Sequence, residues 1–144
     1  MNYSFQKESA MDLRSLRFLV LWPHKQSMEE CLLEQDFEAH TSHFSARDEK
    51  GELVSCCTVM HDGRTIDGQN FPLRLRAMAA HPSIRRKGVS KLLLQYVENE
   101  YPDMAFWCDA REVAVPFYLN CGWQIMSDVY NIPLIGPHFL MVKK

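Results

Sequence analysis

The sequence predicts a single mixed α/β domain over residues 1–144. Three observations carry that expectation. An apolar strand, Leu73–Ala80, runs through a short basic turn into a helix, and a compact apolar strand, Met104–Cys108, follows it. Strand, helix and strand form a βαβ crossover, expected to be right-handed. Upstream, Thr41–Arg47 and Glu52–His61 read as two strands joined by Asp48-Glu49-Lys50-Gly51, a good hairpin signal. No internal repeat or low-complexity linker divides the chain.

The elements follow in order. Tyr3–Lys7 suits a short first strand. From Ala10 to Leu21 the apolar positions Met11, Leu13, Leu16, Phe18, Leu19 and Val20 suggest one amphipathic helix, and Pro23 ends it because the residue before proline is pushed away from helical angles. Ser27-Met28-Glu29-Glu30 has the spacing of a capping box for a second short helix. Residues His61–Asn70 are polar and turn-rich, a loop or an open hairpin end. After the basic turn, Val89, Leu92, Leu93, Tyr96 and Val97 recur at helical spacing and Pro102 closes the segment. A further helix carries Ala114, Phe117, Tyr118 and Cys121 on one face, with Pro116 in its first turn and Gly122 at its exit. Trp123–Tyr130 and Phe139–Val142 read as two last strands, with a turn marked by Pro133, Gly136 and Pro137.

Composition narrows the function. The 144 residues suffice for a core without staples. Sixteen basic against eighteen acidic residues give a formal charge of −2, so no global basic field points to nucleic acid. No apolar run approaches membrane-spanning length, and the N-terminus lacks the basic and apolar regions of a signal peptide. The cysteines (Cys31, Cys56, Cys57, Cys108 and Cys121) are odd in number and lack C-x-x-C spacing, which fits reduced thiols filling space in a cytoplasmic protein. Six scattered histidines form no ligand cluster, so no metal is expected.

Positive charge is instead local: Arg85, Arg86, Lys87 and Lys91 crowd one turn around Gly88. A strand delivering a glycine-containing basic turn to a helix start points unpaired amides and the positive end of a helix dipole at one spot. Such a spot attracts phosphate. A solvated basic patch is the blander reading.

The order strand, Arg85-Arg86-Lys87-Gly88-Val89-Ser90, helix, strand, then Ala110-Arg111-x-x-Ala114-x-x-Phe117-Tyr118-x-x-Cys121-Gly122-Trp123 resembles the GCN5-related N-acetyltransferases. Arg85, Gly88 and Ser90 occupy the first, fourth and sixth positions of that family's signature, Gln/Arg-x-x-Gly-x-Gly/Ala. Ser90 departs from it, yet is small enough to let a diphosphate approach. The resemblance covers Leu73–Trp123 closely and implies an acyl-CoA N-acyltransferase fold. That fold has a central, mostly antiparallel sheet, splayed at the two parallel strands that flank the helix after the signature. Acetyl-CoA is the implied co-substrate. By position, Ala77, Met78 and Ala79 would offer main-chain groups to pantetheine and thioester. Arg86, Lys87, Gly88, Val89 and Ser90 would donate amides to the pyrophosphate, with Arg85 opening the signature. Tyr118 matches the tyrosine that protonates the departing thiolate; without the likeness it would read as a core aromatic.

Acetyl transfer needs a neutral amine. A lysine-like amine at pH 7 is about 4.6 kcal/mol short of that state, an α-amine only about 1.4 kcal/mol. A base or a desolvating site therefore matters more for the former. Candidates for the base are Asp109, placed just after the Met104–Cys108 strand, His138, placed in a turn before the last strand, His81, His24 and Glu112; a water relay stays open beside them. Arg74 and Arg76 share a strand face that could take a substrate carboxylate or simply face solvent. The leading expectation is an N-acetyltransferase acting on a small-molecule or peptide amine, with no nucleic-acid or membrane partner and a homodimer left open. A non-catalytic acyl-CoA-binding regulatory module of the same fold is the alternative.

Overall fold

The structure is a computed structural model that describes residues 2–144. It divides into two units, Met1–Met60 with Ala77–Pro102, and His61–Arg76 with Asp103–Lys144.

In the first unit, β1 (Ser4–Glu8) pairs antiparallel with β2 (Ser42–Arg47), which pairs antiparallel with β3 (Leu53–Met60). The β2–β3 connection is the expected hairpin: Asp48 Oδ1 accepts from the amides of Lys50 and Glu52 at 2.9 and 3.0 Å, and Gly51 takes φ +80°. The helix α1 (Ala10–Leu16) starts at Ser9, whose Oγ accepts from the Met11 amide at 3.2 Å. The helix expected to Leu21 reaches that residue, but as an α-helix only to Leu16. From Arg17 to Leu21 the chain widens into a π-helical turn, closed by Trp22 N–H to Arg17 C=O. The buried positions are Ala10, Leu13, Leu16 and Arg17, while Met11 and Leu19 of the expected apolar face are exposed. Arg17 turns inward because it has partners there. Its guanidinium grips Asp36 through two bonds of 2.7 and 3.2 Å and donates to Thr58 Oγ1 at 2.8 Å. His43 completes this buried cluster, with Nδ1 on Thr58 Oγ1 and Nε2 on the Asp36 carbonyl, both at 2.8 Å. The capping box is present, on a single 3₁₀ turn, Met28–Glu30.

The strand β6 (Leu73–Ala80) appears where the sequence places it, and α2 (Val89–Asn99) follows the basic turn. α2 buries Val89, Leu93, Leu94 and Val97; Leu92, expected inside, is exposed and Leu94 takes its place. α1 packs by Leu13 and Leu16 on Cys56, whereas α2 meets the face of Phe44, Ser55 and Cys57. Side chains alternate along a strand, so the two helices cover opposite faces of β2 and β3.

The second unit begins with the hairpin β4 (Arg64–Ile66) and β5 (Gln69–Phe71). Its turn residues Asp67 and Gly68 both have positive φ, +49° and +80°, which matches strand twist in a two-residue loop. β7 (Phe106–Arg111) pairs parallel with the start of β6, at Leu73↔Phe106 and Arg74↔Trp107. β10 (Gly136–Lys143) lies antiparallel to β7 and also pairs β8 (Gln124–Ile125) and β9 (Tyr130–Ile132). The fold is thus mixed α/β, with a mostly antiparallel sheet and one parallel pair.

Four expectations shift here. β7 starts two residues later than Met104 and runs on to Arg111, so Asp109 lies inside the strand rather than after it. Trp123–Tyr130 is two short strands, not one, because Ser127 interrupts the ladder and its Oγ accepts from the Leu140 amide. β10 begins at Gly136, so His138 is a strand residue and not part of a turn. α3 (Val115–Asn120) has Pro116 in its first turn, as expected, but buries Val115 and Tyr118 in place of the full Ala114–Cys121 face. One core cluster joins Ile66, Phe71, Trp107, Leu140 and Val142 on one face of β7. On the other face Phe106 meets Trp123, and Tyr118 packs on Trp123 with centroids 5.2 Å apart.

Candidate active site

Within the first unit, the turn between β6 and α2 leads directly into a helix start. Pro82–Ile84 forms a 3₁₀ turn, with His81 Nδ1 accepting from the Ser83 amide at 3.1 Å. The chain then crosses into the left-handed region twice, at Arg86 (φ +66°) and Gly88 (φ +78°, ψ 6°). A β-carbon at Gly88 would meet nothing within 4 Å, so glycine is needed there for backbone angle and not for room. Gly88 caps α2 without a side-chain bond. The first amide in the helix with a carbonyl partner is that of Leu92, to Gly88 at 3.1 Å. The amides of Gly88, Val89 and Ser90 have no acceptor among the described residues, the normal condition of a helix start. Lys87 differs from its expected role, since its amide already donates to the Ile84 carbonyl at 3.1 Å. Arg85, Arg86 and Lys87 are exposed around this nest of donors.

Ser90, the departure from the signature, is tied down. Ser55 Oγ donates to the Ala79 carbonyl at 3.0 Å and shares a 2.8 Å bond with Ser90 Oγ. Ser55 has one proton and spends it on Ala79, so Ser90 is the donor to Ser55. The hydroxyl that replaces the small residue of the signature thus turns away to brace β6 against the start of α2. In β6 itself Ala77 sits at φ +53°, a left-handed residue inside a strand. Such a residue breaks ladder geometry and frees main-chain groups. Ala79 is buried and Met78 half-buried. His81 is engaged by Ser83, and His24 is exposed.

In the second unit, β7 separates two sets of groups. Cys108 and Tyr118 meet on the α3 face. Burial pushes the Cys108 thiol well up, reinforced by the Asp109 charge and opposed by its hydrogen bond with Tyr118. Cys108 is a neutral, inert thiol. Tyr118 is 5 % exposed and sits between Phe117 and Trp123, each with a ring centroid 5.2 Å away. On the other face lies Asp109. Arg74 Nη2 donates to its Oδ2 at 2.9 Å and the Tyr130 hydroxyl donates to its Oδ1. Arg74 also holds Asp62 at 3.1 Å and lies 4.6 Å over the Trp107 ring, so it serves this network and not a substrate carboxylate. Trp107 Nε1 donates to the Asp62 carbonyl at 2.8 Å. His138 is 3 % exposed, anchored through Nδ1 on the Gly136 carbonyl at 2.7 Å, and stacked on Tyr130 with centroids 6.2 Å apart. Burial, the bond to Asp109 and the charge of Asp109 all push the Tyr130 phenol above its ordinary range.

Asp109 and His138 are therefore brought to one face of β7, bridged by Tyr130, while Tyr118 lies on the opposite face. Glu112 is exposed in the turn Glu112–Ala114 and joins neither set. Tyr130, Asp62 and Ser55 did not stand out in the sequence. Each acts through a partner distant along the chain, and no local spacing announces such a pairing.

A parallel strand pair, an otherwise antiparallel sheet and a glycine-led helix start with open amides define the acyl-CoA N-acyltransferase class of fold. Solved structures agree. Escherichia coli ElaA superposes with a TM-score of 0.76 at 18% identity, over 99% of this chain and 100% of that one. An aminoglycoside 6'-N-acetyltransferase complexed with coenzyme A gives 0.73 at 17% identity, over 97% and 96%. The chain belongs to the acetyltransferase (GNAT) domain family, whose profile matches residues 19–131. It is also similar to the uncharacterized N-acetyltransferase YitI of Bacillus subtilis (strain 168), with 28% identity over 94% of this chain and 91% of that protein.

Proposed function

We propose that this protein is an acetyl-CoA-dependent N-acetyltransferase acting on a primary amine of a small molecule or an amino terminus, by direct attack in a ternary complex. The observation that carries the reading is the turn at Gly88. Its left-handed glycine opens α2 with the amides of Gly88, Val89 and Ser90 unspent, and exposed Arg85, Arg86 and Lys87 flank them. That donor set fits a diphosphate, which a coenzyme A carries. Similarity to a protein whose structure holds coenzyme A supports the same ligand.

When bound, acetyl-CoA supplies an activated acyl group with a thiolate leaving group. The chain's own residues do the rest. Arg86, Gly88, Val89 and Ser90 hold the diphosphate through main-chain donors. The main chain of Ala77, Met78 and Ala79, distorted at Ala77, orients the pantetheine arm and the thioester oxygen. Tyr118 supplies a proton to the departing sulfur. Asp109, on the other face of β7, receives the proton of the attacking amine.

A thiol-release assay over a panel of amines, polyamines, amino acids and peptides tests the reading. Acceptor-dependent release of coenzyme A is expected. Tight acetyl-CoA binding with no release on any amine would instead mark a binding module, and failure of acetyl-CoA to raise the melting temperature would remove the ligand itself.

A further inference from the structure

We propose that Tyr130 carries the acceptor amine's proton to Asp109, so that phenol and carboxylate act as one base on this face of β7. The inference rests on the N-acetyltransferase reading and adds to it a catalytic residue that the family signature does not contain.

Geometry argues for the pair. Both carboxylate oxygens of Asp109 are engaged, Oδ2 by Arg74 and Oδ1 by Tyr130. Arg74 is itself fixed, tied to Asp62 and lying over Trp107. Tyr130 Oη is thus the protic group already bonded to Oδ1. The phenol cannot swing away freely, because its ring stacks on His138, and His138 is buried and anchored by Gly136. Register places Tyr130 opposite His138 in β9–β10 and Leu140 opposite Asp109 in β10–β7, so one strand spaces the two residues. His138, stacked and buried, is the support of this pair.

Charge decides the order of events. Burial and the adjacent carboxylate hold Tyr130 in its protonated form near neutrality. A phenol in that state accepts a proton only as it gives up its own. The step balances as follows. The nitrogen lone pair forms the N–C bond at the thioester carbonyl carbon, and the C–S bond breaks with its electron pair leaving on sulfur. The proton released from nitrogen passes to Tyr130 Oη while the phenolic proton passes to Asp109 Oδ1. The thiolate takes a proton from Tyr118, and solvent exchange returns Asp109 and Tyr118 to their starting states.

Tyr130→Phe keeps the ring and its stacking on His138 and removes the hydroxyl. With an amine that supports thiol release, the variant should lose about 30-fold or more in kcat while the KM for acetyl-CoA stays within about twofold, the scale of a lost proton-transfer group. A proton inventory in mixed light and heavy water, read on kcat/KM for the amine, should be bowed in the wild-type protein and straight in the variant. A third reading needs no turnover. In protein labelled at tyrosine Cζ, the Tyr130 resonance, assigned by its absence from Y130F, should be displaced by Asp109→Asn. Wild-type turnover in Y130F overturns the relay. So does a slowed variant that keeps the bowed inventory, or a Tyr130 resonance unmoved by Asp109→Asn. Absence of thiol release by the wild-type protein on every amine overturns the acetyltransferase reading and the relay with it.

Discussion

The turn at Gly88 and the Asp109 face of β7 are two polar sites of opposite construction. The first is main chain: one left-handed glycine, one helix start, and donors that any sequence with those angles would present. The second is side chain: Arg74 from β6, Asp109 from β7, Tyr130 from β9 and His138 from β10, each held by another. A main-chain site tolerates changes of side chain but not of backbone angle. A side-chain network tolerates neither the loss of one member nor the unpairing of its neighbour. The proposed binding site and the proposed site of chemistry are thus built differently, and variants at each should fail differently.

The largest effect should come from Gly88→Val. A branched residue forced to φ +78° is strained by roughly 1–2 kcal/mol. Relief of that strain would swing away two or three amides, each worth about 1.5–3 kcal/mol to a charged partner. Calorimetric titration with coenzyme A should show affinity reduced by about 100-fold or more. Unchanged affinity would mean that the turn is not the diphosphate site.

Asp109→Asn should sharpen the contrast from the other side. Coenzyme A affinity is expected to hold while amine-dependent turnover falls about 100-fold. The variant also strips Arg74 of one of its two carboxylates, so its melting temperature should fall as well. Tyr118→Phe should cost less, roughly tenfold in turnover, because a thiolate is a fair leaving group unaided. Acetyl-CoA should still bind, and loss of the bond to Cys108 should lower stability by about 1 kcal/mol. Full turnover in Y118F would remove the phenol from the chemistry.

A pH experiment reads the first unit apart from either site. Burial chiefly, with the nearby Arg17 charge, holds the His43 imidazole below its ordinary value of 6.5, against the pull of Asp36. Below that value the unfolded chain takes up a proton that the folded chain resists, so stability drops as pH falls. The melting temperature should decline more steeply between about pH 7 and about pH 5.5 in the wild-type protein than in His43→Gln. Parallel declines would mean that His43 is not the titrating group. Smallest of all should be Ser90→Ala, which breaks the brace to Ser55 for about 1 kcal/mol and leaves coenzyme A affinity nearly untouched, since Ser90 is proposed to bind through its amide.

Most of the first site was legible along the chain. β6 falls at Leu73–Ala80 as read, the glycine-containing turn opens a helix as read, with Gly88 as its cap, and Ser90 was marked as a departure from the signature. What was missed there was the destination of the Ser90 hydroxyl, because Ser55 lies 35 residues away in sequence. The second site was legible only as a short set of candidates. Asp109 and His138 were singled out, but both were placed outside strands that in fact contain them. Helical spacing likewise put Leu92 on the buried face of α2 and did not single out Leu94. Apolar period alone cannot decide between neighbouring leucines once a helix leans on a particular sheet.

The sequence by itself determined the local matters: the hairpin at Asp48–Gly51, the proline and glycine boundaries, and the glycine-containing turn that opens α2. These depend on backbone angles and capping within a few residues, which the residues impose directly. Only the tertiary structure decided that Arg17 is buried against Asp36, that Arg74 serves Asp109, and that Tyr130 stands between Asp109 and His138. Those outcomes depend on strand register, and register is set by the whole sheet, where a shift of one residue sends every side chain to the other face.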